Sequence, residues 1–367
     1  MKKRLALFMH GGISGGINGQ GFPLITQIVN ELAKNFDITV FSLSSFSEGF
    51  QPENYKAFCV PRKIKPSIFR WLYLILIFLK SHKVERYNIL YSFWGYPMGT
   101  FMVGLGKITG KPTVVNILGA ESANVPEINY GHLKKTFSKR LVVWTCQQAT
   151  ELIAVSANQI KLLKPYGVTR HAQIIPWGVS KNLFRPFNPD LKLPLKIIHV
   201  ANLTAVKDQA TLLKAFKLII EKIPATLKIV GPDFMNGQIQ RLASALGLGG
   251  AVEFVGFVAH QKIAEYYYWA DVFMLTSLAE GQNNSITEAM MCGALPISTS
   301  VGIMDDLGNA VGIVERPGDY QNLANQLISL YKTPEEWRKR QQAAQAWARA
   351  YDLDWTISQL TNLLNKY

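Results

Sequence analysis

The chain has 367 residues, 48% hydrophobic and 17% charged, with 39 Lys and Arg against 25 Asp and Glu and a formal net charge of +14. That is too apolar for a disordered chain and too long for one small core, so two domains are expected. Three separated cysteines, Cys59, Cys146 and Cys292, argue against a disulfide framework, no Cys/His pair has zinc-ligand spacing, and a reducing, cytoplasmic setting fits.

The start, Met1-Lys2-Lys3-Arg4 and then Leu5 to Met9, mimics a secretory signal, but the apolar run is five residues long and ends in His10-Gly11-Gly12. It reads instead as a first buried strand. Further strands are predicted at Ile38–Leu43, Asn88–Tyr91, Thr113–Ile117 and Leu152–Val155. They alternate with helices at Phe22–Lys34, Ile68–His82, Gly99–Ile108 and Gly131–Gln148. Such alternation predicts a parallel sheet with helices on both faces. Residues Ile68 to Lys80 are apolar almost all round and read as a buried helix; the alternative is a helix lying in a bilayer interface, flanked by Arg62, Lys63, Lys65 and Lys83. The longest apolar run, Trp71 to Leu79, has nine residues. That is about half of a membrane span.

The pattern restarts after residue 180. Strands are predicted at Ile197–Ala201, Leu227–Val230, Val252–Val255, Val272–Leu275, Leu295–Ser298 and Gly312–Val314. The helices between them are Gln209–Glu221, Gln238–Leu246, Ile263–Trp269 and Ser285–Met291. A linker over Trp177 to Pro194, with Pro186, Pro189 and Pro194, joins the halves. The expectation is an α/β fold of two doubly wound Rossmann-like domains facing a cleft, residues 1–180 and 181–350. A helical tail begins at Pro334, and residues 351–367 form a C-terminal helix packing back towards the N-terminal domain. Asp354, in Asp352-Leu353-Asp354, is expected to be that helix's N-cap and not a metal ligand. Ligands of such sheets sit at the strand C-terminal ends.

The charge is lopsided. Residues 1–180 hold 21 Lys/Arg and 8 Asp/Glu, while residues 181–367 hold 18 and 17. A basic half beside a neutral one suggests an anionic surface facing the first domain, the plain alternative being a solubility charge.

The most informative segment is Leu278 to Pro296, in which Glu280 follows a predicted strand and Glu288 comes after seven intervening residues. A helix starting near Ser285 offers free N–H groups to a phosphate. Glu280 could accept sugar hydroxyls and Glu288 a pair of ribose hydroxyls. Alternatively, Ser285-Ile286-Thr287-Glu288 is a capping box in which Glu288 serves only its own helix.

This segment resembles the Glu-seven-Glu signature of glycosyltransferase family 4, retaining enzymes of the GT-B fold, through Glu280-Gly281, Glu288-Ala289-Met290, Gly293 and Pro296. Pro176-Trp177-Gly178-Val179 with Phe184, Leu227-Lys228-Ile229-Val230-Gly231 and Val255-Gly256-Phe257-Val258 are similar to family segments in the same order. Any one alone is weak; together they are specific, and residues 170–300 carry the likeness most clearly. The resemblance implies that Glu280 contacts the donor sugar and Glu288 holds the ribose. It implies that Gly281, Asn284, Ser285 and Ile286 surround the donor, and that Gly231, Phe257 and Val258 lie near the nucleotide. Lys207 matches the family's diphosphate lysine, with Glu280 the implied catalytic pair. Asn202 takes the place of the expected Arg, giving a hydrogen bond without charge. The Gly-rich loop Gly11 to Gly21, with Gly12, Gly15 and Gly16, would face donor phosphate and acceptor. Its bland alternative is a flexible surface loop. Leu118 stands where many members have a His, which sets any mechanism relying on that His in question. Glu121 is either the acid found shortly after it or a cap of the following turn.

The resemblance thus implies a metal-independent glycosyltransferase of cell-surface polysaccharide or glycolipid synthesis. It would need no cofactor beyond a UDP- or GDP-linked sugar as co-substrate. Its partners would be an acceptor glycan or lipid-linked saccharide and an anionic membrane surface, with no nucleic acid, in a cytoplasmic, peripherally membrane-associated location. The rivals are a sugar-nucleotide epimerase on the same plan, which needs an in-site acid and base, and a non-catalytic sugar- or anion-binding protein.

Overall fold

The computed structural model describes residues 2–13, 22–47, 49–65, 67–187 and 191–367. The linker's Pro189 and the loop residues Gly15 and Gly16 lie outside them. The first domain runs β1 (Arg4–Met9), α1 (Pro23–Ala33), β2 (Asp37–Ser42), β3 (Lys56–Cys59), α2 (Ser67–Glu85), β4 (Ile89–Phe93), α3 (Thr100–Thr109), β5 (Thr113–Ile117), α4 (Thr136–Gln148), β6 (Glu151–Ala154), α5 (Ala157–Leu163) and β7 (Gln173–Ile174). All pairings are parallel, in the order β3-β2-β1-β4-β5-β6-β7. Central strands such as Leu5–Met9 are buried on both faces, which is why they read as unbroken apolar runs.

The second domain runs β8 (Leu195–Val200), α6 (Gln209–Ile220), β9 (Ala225–Val230), α7 (Gln238–Ala245), β10 (Val252–Gly256), α8 (Ile263–Trp269), β11 (Val272–Leu275), α9 (Asn284–Met291), β12 (Leu295–Thr299), α10 (Ile303–Leu307), β13 (Ile313–Glu315) and α11 (Tyr320–Tyr331). Its sheet is also parallel, in the order β10-β9-β8-β11-β12-β13. The strand order reverses between β1 and β4 in one sheet and between β8 and β11 in the other. Crevices open at those points beyond the strand C-termini.

The tail is two helices, α12 (Pro334–Ala350) and α13 (Leu353–Leu364). Trp337, Ala344 and Ala348 of α12 pack into the second domain's cores. Leu353, Leu360, Leu363 and Leu364 of α13 join the core of the first. The break falls where Asp352, rather than Asp354, caps α13 by accepting from Trp355 N–H at 2.9 Å. Asp354 instead pairs with Lys181. Thr356 ties α13 to the linker, its hydroxyl accepting from Gly178 N–H and donating to Pro176 C=O, each at 2.8 Å.

The helix read as buried, α2, is not. Only Leu74 and Phe78 are buried, whereas Ile68, Phe69, Leu72 and Leu76 are 59%, 53%, 46% and 67% exposed. The helix covers the sheet near β2 with one face, and Trp71 meets Phe101 of α3 at 4.9 Å. Periodicity could not show this, because an all-apolar helix has no sequence signature for which face meets protein.

Candidate functional site

The loops after β8 and β11 face those after β1, β4 and β5 across a cleft of about 620 Å³. This lies within the usual range for a small-molecule site. Its second-domain wall includes Asn202, Lys207, Gly231, Phe257, Val258, His260 and the stretch Glu280 to Ser285 with Glu288; its first-domain wall includes Phe22, Trp94 and Leu118.

Lys207 ends a short turn before α6, whose N-cap is Asp208, accepting from Thr211 N–H at 3.2 Å. Thr276, just past β11, donates its hydroxyl to the carbonyls of Lys207 and Asp208 at 3.2 and 2.9 Å. The two crevice loops are thereby fixed to each other. Lys207 Nζ then lies 2.5 Å from Glu280 Oε1, with side chains 20% and 11% exposed. The same oxygen accepts from Ser277 Oγ at 2.6 Å and Asn283 Nδ2 at 3.0 Å. Oε2 has no hydrogen bond among the described residues. Burial opposes the charged carboxylate, but Lys207 and the hydroxyl and amide donors outweigh it and hold Glu280 below the usual carboxylate range.

The N-cap of α9 is Asn283, whose side chain accepts from Ile286 N–H at 3.0 Å. The capping box therefore does not form. Glu288 instead turns to His260, Nε2 to Oε1 2.9 Å, and to the Tyr267 hydroxyl, 2.7 Å from Oε2. The first N–H groups of α9, at Asn284 and Ser285, lack intrahelical partners and belong to residues that line the cleft. Ile286 is buried beneath it and is not part of the wall.

Asn202 stands exposed at the end of β8, its carbonyl accepting from Gln209 Nε2 at 3.1 Å. Gln209 in turn reaches His199 Nε2 at 3.2 Å, and His199 Nδ1 meets Met274 C=O at 2.9 Å. Burial, first, and the charge of Lys207 push His199 down to about 4, so it is a neutral ring buttressing this loop. Gly231 has φ +142°, and a Cβ there would lie 2.0 Å from Ala201 C=O.

On the other wall, Glu121 does not present its carboxylate to the cleft. It is 1% exposed, and its oxygens accept from Gly95 N–H at 2.7 Å and Gly119 N–H at 2.9 Å, so it braces the β4 and β5 loops. Gly12 accepts from Phe22 N–H at 3.0 Å, setting the Phe22 ring beside Trp94 at 5.6 Å. Gly12 itself does not line the cleft, and Leu118 does.

The walls touch directly. A Cβ on Gly281 would lie 1.9 Å from Leu118 C=O, so only glycine permits this approach. Ser156 Oγ donates to Gly281 C=O at 2.6 Å. Asp306 accepts from Ala157 and Asn158 N–H at 2.6 and 2.8 Å. Gln282 and Trp177 exchange two side-chain-to-backbone bonds of 2.7 and 2.8 Å. Sequence reasoning missed His260, Tyr267, Gln282 and Asn283 as site residues. Asn283 carried a readable signal, a capping residue immediately before the helix.

Residues 194–333 match the family described as Glycosyl transferases group 1. N-acetyl-alpha-D-glucosaminyl L-malate synthase of Bacillus anthracis is 31% identical over 143 residues, 38% of this chain and 36% of that protein. D-inositol 3-phosphate glycosyltransferase of Thermomonospora curvata is 25% identical over 313 residues, 75% of this chain and 66% of that one. The chain spans 57%, 36% and 44% of the length of three curated relatives that it matches. Sucrose-phosphate synthase from Thermosynechococcus elongatus superposes with a TM-score of 0.82 at 18% identity, covering 100% of this chain and 99% of that one. Anabaena HepE in complex with UDP-glucose superposes with a TM-score of 0.77 at 19% identity, covering 99% and 100%. These likenesses show the GT-B fold, and over residues 194–333, the greater part of the second domain, the chain is similar to the group 1 glycosyl transferases.

Proposed function

We propose that the protein transfers a sugar from a nucleoside-diphosphate sugar to an acceptor hydroxyl with retention of anomeric configuration, without a metal, in cell-surface polysaccharide or glycolipid synthesis. The observation that carries this reading is the convergence of Lys207, Glu280, Glu288 and the start of α9 on one interdomain cleft. Each part has a distinct task. Lys207 and the free N–H groups of Asn284 and Ser285 meet the diphosphate, whose charge grows as the sugar leaves, so their stabilisation is greatest in the transition state. Glu280, with Oε1 occupied and Oε2 available, accepts donor-sugar hydroxyls. Glu288 accepts from the ribose, and Phe257 and Val258 lie beside the base. The complexes of HepE with UDP and with UDP-glucose support a UDP-linked donor. Incubation with UDP- and GDP-sugars, reading free nucleoside diphosphate and the anomer formed, tests this. Release from neither, or an epimerised sugar nucleotide, overturns it. Glu280→Gln should cut turnover more than nucleotide affinity, and Glu288→Gln the reverse.

The same reading places the acceptor against the first domain, at a membrane. No described helix is long and apolar enough to cross one. Support comes from α2, whose exposed Ile68, Phe69, Leu72 and Leu76 follow the exposed Arg62, Lys63 and Lys65. Each cation near an anionic leaflet contributes about 1 kcal/mol within a Debye length. The protein should sediment with anionic vesicles at low salt, and Lys134→Glu/Lys135→Glu and Leu72→Glu/Leu76→Glu should each weaken this. Equal binding to neutral vesicles, or none to either, refutes the electrostatic part.

A further inference from the structure

Glu288 is held from two sides by residues outside the Glu280–Pro296 segment. His260 Nε2 lies 2.9 Å from Oε1, and the Tyr267 hydroxyl lies 2.7 Å from Oε2. A carboxylate accepts, so both partners donate: His260 from its Nε2–H and Tyr267 from its O–H. Each carboxylate oxygen has room for about two hydrogen bonds, so one position on each oxygen is filled and one on each is left. Glu288 lines the cleft, and its side chain is only 9% exposed. The remaining positions suit two adjacent hydroxyl groups, one per oxygen.

Both donors are themselves held. Tyr267 is wholly buried on α8, its ring 6.0 Å from Phe184. Burial first, and then the Glu288 charge, push its hydroxyl well above the ordinary tyrosine value, so it remains a donor. His260 lines the cleft three residues beyond Phe257, and its ring meets Phe184 edge-on at 5.6 Å. Phe184 thus backs both donors from the interdomain linker. A carboxylate gripped at both oxygens cannot rotate about its last bond without breaking a buried hydrogen bond.

We infer that His260 and Tyr267 are positioning residues for ribose recognition, fixing the plane of the Glu288 carboxylate so that each oxygen accepts one hydroxyl of a ribose 2′,3′-diol. The inference rests on the reading that Glu288 faces the ribose. It assigns the selection for ribonucleotides to a trio of residues, two of which lie outside the signature segment.

The test is calorimetric binding of UDP and GDP, and of their 2′,3′-dideoxy counterparts, to the full chain. Four variants are compared with the wild type: Glu288→Gln, His260→Phe, His260→Gln and Tyr267→Phe. His260→Phe keeps a ring against Phe184 and removes the donor; His260→Gln restores one. The expected result for His260→Phe is a loss of roughly tenfold on the ribonucleotide, the scale of one charge-assisted hydrogen bond, with the dideoxy affinity unchanged. His260→Gln should recover most of it, and Tyr267→Phe should show the same selective loss. If the wild type binds neither nucleotide, or Glu288→Gln leaves the ribo-over-dideoxy preference intact, the reading beneath the inference fails and takes it along. If Glu288→Gln abolishes the preference while His260→Phe and Tyr267→Phe match the wild type, or weaken ribo and dideoxy forms equally, the inference alone is overturned.

Discussion

Replacing Lys207 with Met isolates the electrostatics of the site from its catalysis. The substitution keeps the aliphatic stem and removes the ammonium bonded to Glu280, 2.5 Å away between side chains 20% and 11% exposed. Breaking a buried pair costs 3–5 kcal/mol, and the opening of this one to the cleft reduces that to about 2–3 kcal/mol. In a domain of this size each kcal/mol is worth about 2–4 °C, so Lys207→Met should melt roughly 5–10 °C below the wild type at pH 7. The pH dependence carries the signature. In the wild type Glu280 sits below its ordinary value of 4.5, so the pair's contribution is complete above that value. It disappears as pH falls through the lowered folded value. In the variant burial is opposed by the Ser277 and Asn283 donors but no longer by Lys207, so Glu280 rises relative to the wild type; the penalty is full at neutral pH and is relieved as protonation begins. The gap in melting temperature, followed by scanning fluorimetry, should therefore be constant at and above neutral pH and narrow as acidification protonates Glu280 in the variant. Lys207→Met/Glu280→Gln should regain part of the loss. A gap independent of pH, or a double variant no more stable than the single one, would refute the argument. Turnover, measured separately, should fall about 10²–10³-fold, the scale of one lost transition-state donor.

Three further perturbations test other parts of the molecule. Gly281→Ala sets a methyl group against Leu118 C=O, where a Cβ would lie 1.9 Å away; it should open the domains, seen as a larger radius of gyration by X-ray scattering, and an unchanged profile would contradict the contact. His199 is held down to about 4, so between its ordinary 6.5 and that value the unfolded chain binds the extra proton. Its presence should then cost about 1.4 kcal/mol per pH unit on acidification, and His199→Gln should flatten the melting curve over that window. Asn283→Ala removes the cap of α9 and a donor to Glu280; a stability loss of about 1 kcal/mol is expected, with activity falling further than stability explains.

The alternation of buried strands with amphipathic helices was legible because each local pattern agrees with its tertiary role. Leu5 to Met9 reads as a central strand since both of its faces are covered, and the parallel order follows from the intervening helices. Short edge pieces such as β3, with alternating exposure, and the two-residue β7 carry too little pattern to be seen. The helix α11, a full amphipathic element, has a readable pattern but is not among the predicted helices. In the site, the residue types at Lys207, Glu280 and Glu288 pointed to chemistry, but their relations were tertiary. Spacing alone offered Glu288 a capping role. The structure shows Asn283 in that role, and His260 and Tyr267, 28 and 21 residues away, on the carboxylate. Glu121 shows the converse: Gly119 N–H, two residues away, fills one of its oxygens, but the other is filled by Gly95 N–H through the approach of the β4 loop. The exposed stripe of α2 and the crossing of α13 onto the first domain were likewise settled by which surfaces meet. Local sequence determines what a segment can bury, whereas the partner that buries it, and the lone pairs left free, depend on residues distant in the chain.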